Sequence, residues 1–192
     1  MKNDIVLAGV GGQGILTIAA IIGKAAMNMG LNVKQSEVHG MSQRGGAVLA
    51  HLRLSSEPIL SDLIADGTAD VIVAMEPMEA LRHGRSLSAT GAVITASKPI
   101  VNIGNYPEIA EVLAELETYP KSVVIDADAI ATEAGNARGS NMVILGAVSC
   151  FLAMEPEKLR EAIADFFARK GESVVAANLK VFEAGRQAAG IA

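Results

Sequence analysis

The sequence predicts an α/β fold: an open, mainly parallel, Rossmann-like three-layer sheet with helices on both faces and a helical C-terminal part. Three observations carry that prediction. Short apolar runs of strand length alternate with stretches of helical periodicity, as they do where crossover helices bury both faces of a sheet. The first apolar run leads into Gly9-Val10-Gly11-Gly12-Gln13-Gly14 and then directly into Ile15-Leu16-Thr17-Ile18-Ala19-Ala20, which reads as strand, glycine turn and helix. After Ile125 the patterns become mainly helical. Within its 192 residues the chain has no internal repeat, low-complexity tract or Pro/Ser-rich linker, so residues 1–192 are expected to form one domain.

The strands are expected at residues 5–8, 33–38, 71–75, 92–96 and 123–125. Between the first two, Ile15, Ile18, Ile22, Ala25 and Met29 form one helical stripe, and Gly30 supplies the stop before the second strand, completing a βαβ unit. Residues 47–54 read as a strand, Ser55-Ser56-Glu57-Pro58 as a turn and 59–63 as a short return strand, so antiparallel pairing interrupts the parallel sheet. In Glu76-Pro77-Met78-Glu79-Ala80-Leu81-Arg82, Pro77 suits a first helical turn and Glu79 favours the positive end of the helix, which leaves Glu76 as a candidate facing the crevice. Further helices are expected at 127–133, 142–152, 157–169 and 174–189. Ser140 or Asn141 would cap the second of these, and Pro156 would open the third.

Composition excludes several functions. A formal charge of −5, with two Tyr, four Phe and no Trp, provides neither the basic field nor the stacking surface of a nucleic-acid binder. Cys150 is the one cysteine, too few for an internal disulfide and far short of an iron–sulfur ligand set, so any electron transfer must use a centre held elsewhere. Neither uncharged stretch reads as a membrane span: 5–23 is interrupted by the glycine turn, and 139–154 falls short of the roughly 20 residues needed. Met1-Lys2-Asn3-Asp4 is not a basic leader, so the expected compartment is the cytoplasm.

Two constellations stand out. The spacing of Gly9, Gly11 and Gly14, with Gly12 between, matches the G-x-G-x-x-G fingerprint, in which bare backbone reaches an anion at a helix start. A dinucleotide site also needs an acid about 20 residues on, where Lys34 and Gln35 stand, with Glu37 somewhat late. The glycines serve equally well for close packing of strand on helix. The second constellation, Glu37-Val38-His39-Gly40-Met41-Ser42-Gln43-Arg44-Gly45-Gly46, follows the second strand, so it should share the carboxyl edge of the sheet with the first loop. Arg44 presents a planar fork suited to a carboxylate or phosphate, and Gly45 and Gly46 allow close backbone approach. The alternative is an Arg44 paired with Glu37 or another local acid. His39, His51 and His83 lack metal-ligand spacing, and a structural or interface role is favoured over proton transfer by His39. Cys150, between apolar neighbours, reads as a small buried hydrophobe. No self-contained catalytic set emerges, and no metal site.

Taken in one order along the chain, Gly9 to Gly14, Glu37 to Gly46, Glu76 to Arg82, Asp126-Ala127, Gly135-Asn136, Asn141 and Leu145-Gly146 resemble the gamma-type domain of 2-oxoacid:ferredoxin oxidoreductases. The form His39-Gly40-Met41-Ser42-Gln43-Arg44-Gly45-Gly46 is most similar to the beta subunits of the indolepyruvate branch. The resemblance implies an accessory subunit of a hetero-oligomer that converts a 2-oxoacid, here indolepyruvate or another aryl pyruvate, to acyl-CoA while reducing ferredoxin. A larger partner would hold thiamine diphosphate, Mg and the iron–sulfur clusters, with CoA as cosubstrate. The implied contributions of this chain are the loop residues His39, Gln43, Arg44, Gly45 and Gly46 with Glu76, at the active site or interface, and Gly9, Gly11, Gly12 and Gly14 as an anion cradle or partner contact. A stand-alone NAD(P)- or flavin-dependent oxidoreductase and a CoA- or nucleotide-binding module remain the competing readings.

Overall fold

The computed structural model describes residues 1–39 and 45–190. In chain order the strands and α-helices are β1 (Lys2–Val10), α1 (Ile15–Asn28), β2 (Asn32–His39), β3 (Ala47–Ser55), β4 (Ala69–Ala74), α2 (Pro77–Arg82), β5 (Leu87–Ala96), α3 (Ile109–Glu117), β6 (Ser122–Ile125), α4 (Ala127–Glu133), α5 (Ser140–Ser149), α6 (Pro156–Phe167) and α7 (Glu172–Ala188). The six strands form one sheet in the order β2-β3-β1-β4-β5-β6. The pairs β1–β4, β4–β5 and β5–β6 are parallel, whereas β3 runs antiparallel to both β1 and β2. The α/β class and the helices on both faces are as expected, and the antiparallel interruption is β3.

Side-chain alternation along the strands divides the core in two. Ile5 and Leu7 of β1, with Val71 and Val73 of β4, face the layer that holds α1, α5, α6 and α7, while Val6, Ala8, Ile72 and Ala74 face α2 and α3. In α1 the stripe Ile15, Ile18, Ile22 and Ala25 is buried, and Gly30 at φ 75° closes the helix, with the Leu31 N–H donating back to Ala26. The helices α5 and α7 cross at Gly146 and Gly185. A Cβ on Gly146 would run into the Phe182 carbonyl oxygen, and one on Gly185 into that of Val143. The backbones touch because neither residue has a side chain.

Three expectations are corrected. The βαβ unit β1-α1-β2 is split, because β3 returns from β2 and inserts between it and β1. The expected strand at 59–63 is absent, since β3 already has β1 on one edge and β2 on the other and offers no free edge. That segment instead crosses the face of β3, where Arg53 Nη1 donates to the carbonyls of Ser61 (3.0 Å) and Leu63 (3.1 Å) and His51 Nδ1 accepts the Ile64 N–H (2.9 Å). The cap of α5 is Gly139, and the side chains of Ser140 and Asn141 reach outward, to Asp128 and to the Gly14 carbonyl. The patterns in the sequence did not anticipate α3. Among the described residues no helix is long and apolar enough to cross a membrane.

Candidate functional site

The turns after β1, β4 and β5 meet at the carboxyl edge of the sheet, where open α/β folds form their crevice. After β1, Gly12 (φ 103°) and Gly14 (φ 79°) take left-handed backbone, and the Gly14 carbonyl accepts the Thr17 and Ile18 N–H groups that begin α1. A Cβ on Gly14 would stand 2.6 Å from Asn141 Nδ2, so this glycine also admits the start of α5. Gln13 stitches the turn to its neighbour: Oε1 accepts the Val10 N–H (2.7 Å), and Nε2 donates to the Met75 carbonyl at the end of β4 (2.8 Å).

The second glycine loop lies against the first. The Gly11 N–H donates to the Gly46 carbonyl (2.8 Å) and the Gly45 N–H to the Gly11 carbonyl (3.2 Å), so the two loops share one edge. His39 is the last residue of β2. Its side chain, and residues Gly40, Met41, Ser42, Gln43 and Arg44, lie outside the described residues, and so does the alternative pairing of Arg44 with Glu37. The N–H groups of Val10, Gly11 and Gln13 already donate within the protein, which leaves fewer donors for an anion at this turn. The insertion of β3 also carries Glu37 two strands from the glycine turn, about 10 Å instead of the 5 Å of adjacent strands. Glu37 there is exposed and accepts from Gln35. Among the described residues Glu37 thus does not stand beside the turn as a ribose-binding acid would, and the dinucleotide reading loses its second determinant.

Glu76 is 1% exposed and serves as a hub. Its Oε2 caps α2 by accepting the Glu79 N–H (2.9 Å), while Oε1 accepts the Ile100 N–H (3.3 Å) and the Tyr106 hydroxyl. Burial, reinforced by that bond to Glu76, holds the Tyr106 hydroxyl well above the usual phenol range. Burial likewise raises the Glu79 carboxyl, which Arg82 only partly offsets, and among the described residues Glu79 Oε2 has no hydrogen-bond partner. Asn102, in the segment that Glu76 anchors, donates to the Gly45 carbonyl (2.8 Å). A continuous set of bonds therefore runs from Glu76 through residues 98–106 to both glycine loops.

Beside this network a cavity of about 230 Å³ opens, lined by Gln13, Met75, Ala96, Ile100, Asp128 and Ser140 among others. Ser140 donates to Asp128 Oδ1, and Lys98 Nζ lies 3.0 Å from Oδ2. The Ser140 bond first, and Lys98 second, hold the Asp128 carboxyl below its ordinary range. Asn102, Tyr106 and Asp128 were not singled out from sequence. The available signal was position, since the segment after residue 96 leaves the carboxyl end of a parallel strand. His51 and His83 stand away from this edge, both with burial lowering their imidazole affinity for protons. Cys150, which ends α5, is half-buried. Among the described residues no cluster of His, Cys, Asp or Glu has the makings of a metal site.

Residues 4–188 match the model of the pyruvate ferredoxin/flavodoxin oxidoreductase family. Similar relatives include indolepyruvate oxidoreductase subunit IorB of Archaeoglobus fulgidus, 38% identical over 96% of this chain and 94% of that protein. They also include the common gamma subunit of the pyruvate/ketoisovalerate oxidoreductases of Pyrococcus furiosus, 33% identical over 91% of this chain and 92% of that one. Among solved structures, the 2-oxoglutarate:ferredoxin oxidoreductase of Magnetococcus marinus, with 2-oxoglutarate, coenzyme A and succinyl-CoA bound, superposes with a TM-score of 0.77 at 26% identity. The match covers 98% of this chain and 31% of that larger one.

Proposed function

Because the chain belongs to the pyruvate ferredoxin/flavodoxin oxidoreductase family, we propose that it is the accessory, gamma-type subunit of a 2-oxoacid:ferredoxin oxidoreductase of the indolepyruvate branch. The observation that carries this reading is the likeness to the IorB subunit along almost the whole of both chains. The substrate class is an aryl pyruvate. In the assembled enzyme the 2-oxoacid loses carbon dioxide, two electrons pass to ferredoxin, and the acyl group is joined to the CoA sulfur with release of one proton.

A larger partner subunit supplies thiamine diphosphate with Mg, which takes up the decarboxylation, and the iron–sulfur clusters that carry the electrons. One cysteine is too few thiolates for a cluster, so the donor set of this chain does not fit that group. The work of the chain is to position. Its single domain presents Gly11, Gly12, Gly45 and Gly46 as one wall of a site completed by the partner, and Gln43 and Arg44, which precede Gly45 in the sequence, are the side chains proposed to serve it. Three of the first turn's amides are engaged internally, which favours a protein contact over a phosphate cradle there. His39 ends the strand leading into that wall, and Glu76 holds the wall from behind.

The coenzyme A in the Magnetococcus marinus structure favours one addition, that CoA approaches the same edge in the assembled enzyme. The test of the main reading is to purify the chain alone and together with whatever larger subunit co-purifies with it from the native cell, then assay reduction of a low-potential acceptor by indolepyruvate and CoA. The expected result is no turnover by the isolated chain and turnover on reconstitution. Turnover by the chain alone, or recovery of no thiamine-binding partner from the native cell, would overturn it.

A further inference from the structure

The segment between β5 and α3 is tied at both ends of the site. At one end Tyr106 and the Ile100 N–H share Oε1 of the buried Glu76. At the other, the exposed Asn102 donates across 57 positions of sequence to the Gly45 carbonyl (2.8 Å), on the loop that is itself bonded to Gly11. Nothing about local chain geometry requires this last bond. The net worth of such a bond is modest, because it replaces one made with water. Its consequence is geometric: the Gly45 carbonyl is held from outside the loop that carries it.

We propose that Tyr106 and Asn102 are positioning residues of the partner-binding edge, and that residues 98–106 act as a strap holding the paired glycine loops in the arrangement the larger subunit engages. This inference rests on the reading of the chain as a subunit. The strap explains why a carboxylate is buried at position 76. A helix cap alone needs one acceptor oxygen, whereas Glu76 uses its second oxygen to anchor the strap. A loop held in its bound arrangement before association loses less entropy on binding, and that difference appears as affinity.

The test measures association of the larger subunit with wild-type chain, Tyr106→Phe, Asn102→Ala and the double variant. Each single substitution is expected to raise the dissociation constant about five- to tenfold, the worth of one hydrogen bond, more for one to a charged group. Because one strap transmits both effects, the double variant is expected to be no weaker than about tenfold, whereas independent sites would multiply. Asn102→Gln, which keeps the donor, is expected to recover part of the loss. Amide exchange on the isolated chain provides a readout free of the partner: residues 98–105 are expected to exchange faster in Tyr106→Phe. Wild-type affinity in both single variants, or multiplied losses in the double variant, would overturn the proposal. If wild-type chain itself fails to bind the larger subunit, the subunit reading falls, and unchanged exchange in Tyr106→Phe would still refute the strap.

Discussion

Replacing Glu76 with Gln removes one acceptor from a site built for two. The carboxylate accepts from the Tyr106 hydroxyl and the Ile100 N–H on Oε1 and from the Glu79 N–H on Oε2, and the residue is 1% exposed. An amide whose oxygen faces Tyr106 and Ile100 must turn its NH2 toward the Glu79 N–H, setting donor against donor. The α2 cap is then lost, at about 1 kcal/mol. The bonds on the other oxygen also fall from charge-assisted to neutral, roughly halving their strength. Together these destabilise the fold by about 2–3 kcal/mol. For a chain of this length that corresponds to a melting temperature lower by about 5–10 °C. In urea the midpoint would fall by about 1 M, with an unchanged slope. Calorimetry and urea titration monitored by circular dichroism measure both. A melting point within about 1 °C of wild type would mean that Glu76 is not the hub described, since no rearrangement of a single amide restores three acceptor contacts in a site closed to water.

Two further substitutions probe the packing and the charge beneath the site. Gly185→Ala places a methyl group against the Val143 carbonyl, and Gly146→Ala one against that of Phe182. Backbone cannot yield as a side chain does, so each is expected to cost about 3 kcal/mol, read as a lower melting temperature, and an unaltered melting curve would show that the helices are free to separate. Asp4 is buried beside Arg53 (2.7 Å) and Lys2 (2.8 Å). Burial acts to raise its carboxyl, but the two cations prevail and hold it below its ordinary value. The unfolded chain therefore binds more protons than the folded one as pH falls through the unfolded value of about 3.9, and the stabilisation is full above about pH 5 and lost on acidification. Asp4→Asn is thus expected to lower the urea midpoint at pH 7, and the gap with wild type is expected to narrow progressively as pH falls below about 3.9. A gap independent of pH would refute the ionic account.

Much of the site was legible because its chemistry is local. The glycines at 9, 11, 12 and 14 announce a turn, which takes left-handed backbone at Gly12 and Gly14, and Glu76-Pro77 announces the start of a helix at a strand end. The rule that strands of a parallel sheet deliver their carboxyl ends to one edge then put the loop containing Gly45 and Gly46 beside the first turn, where hydrogen bonds join them. Asn102 and Tyr106 carry no such mark. Their partners, Gly45 and Glu76, stand far away in sequence, and a polar residue in a loop has no periodicity that records what it touches. The expected strand at 59–63 failed for a related reason. Its alternation was plausible, but whether an edge is free to receive it depends on the order of the whole sheet.

The sequence by itself determined the α/β class, the strand-turn-helix opening, the single cysteine and the family likeness, because each rests on residue type and short spacing along the chain. Only the tertiary structure decided that β3 enters between β1 and β2, and with it the distance of Glu37 from the glycine turn. The same holds for the role of Glu76. A carboxylate at a helix start reads as a cap, and that it also anchors a second segment appears only when Tyr106 and Ile100 are brought to its other oxygen. Pairwise contacts between distant residues are settled by packing of the complete chain, and local propensity holds no record of them.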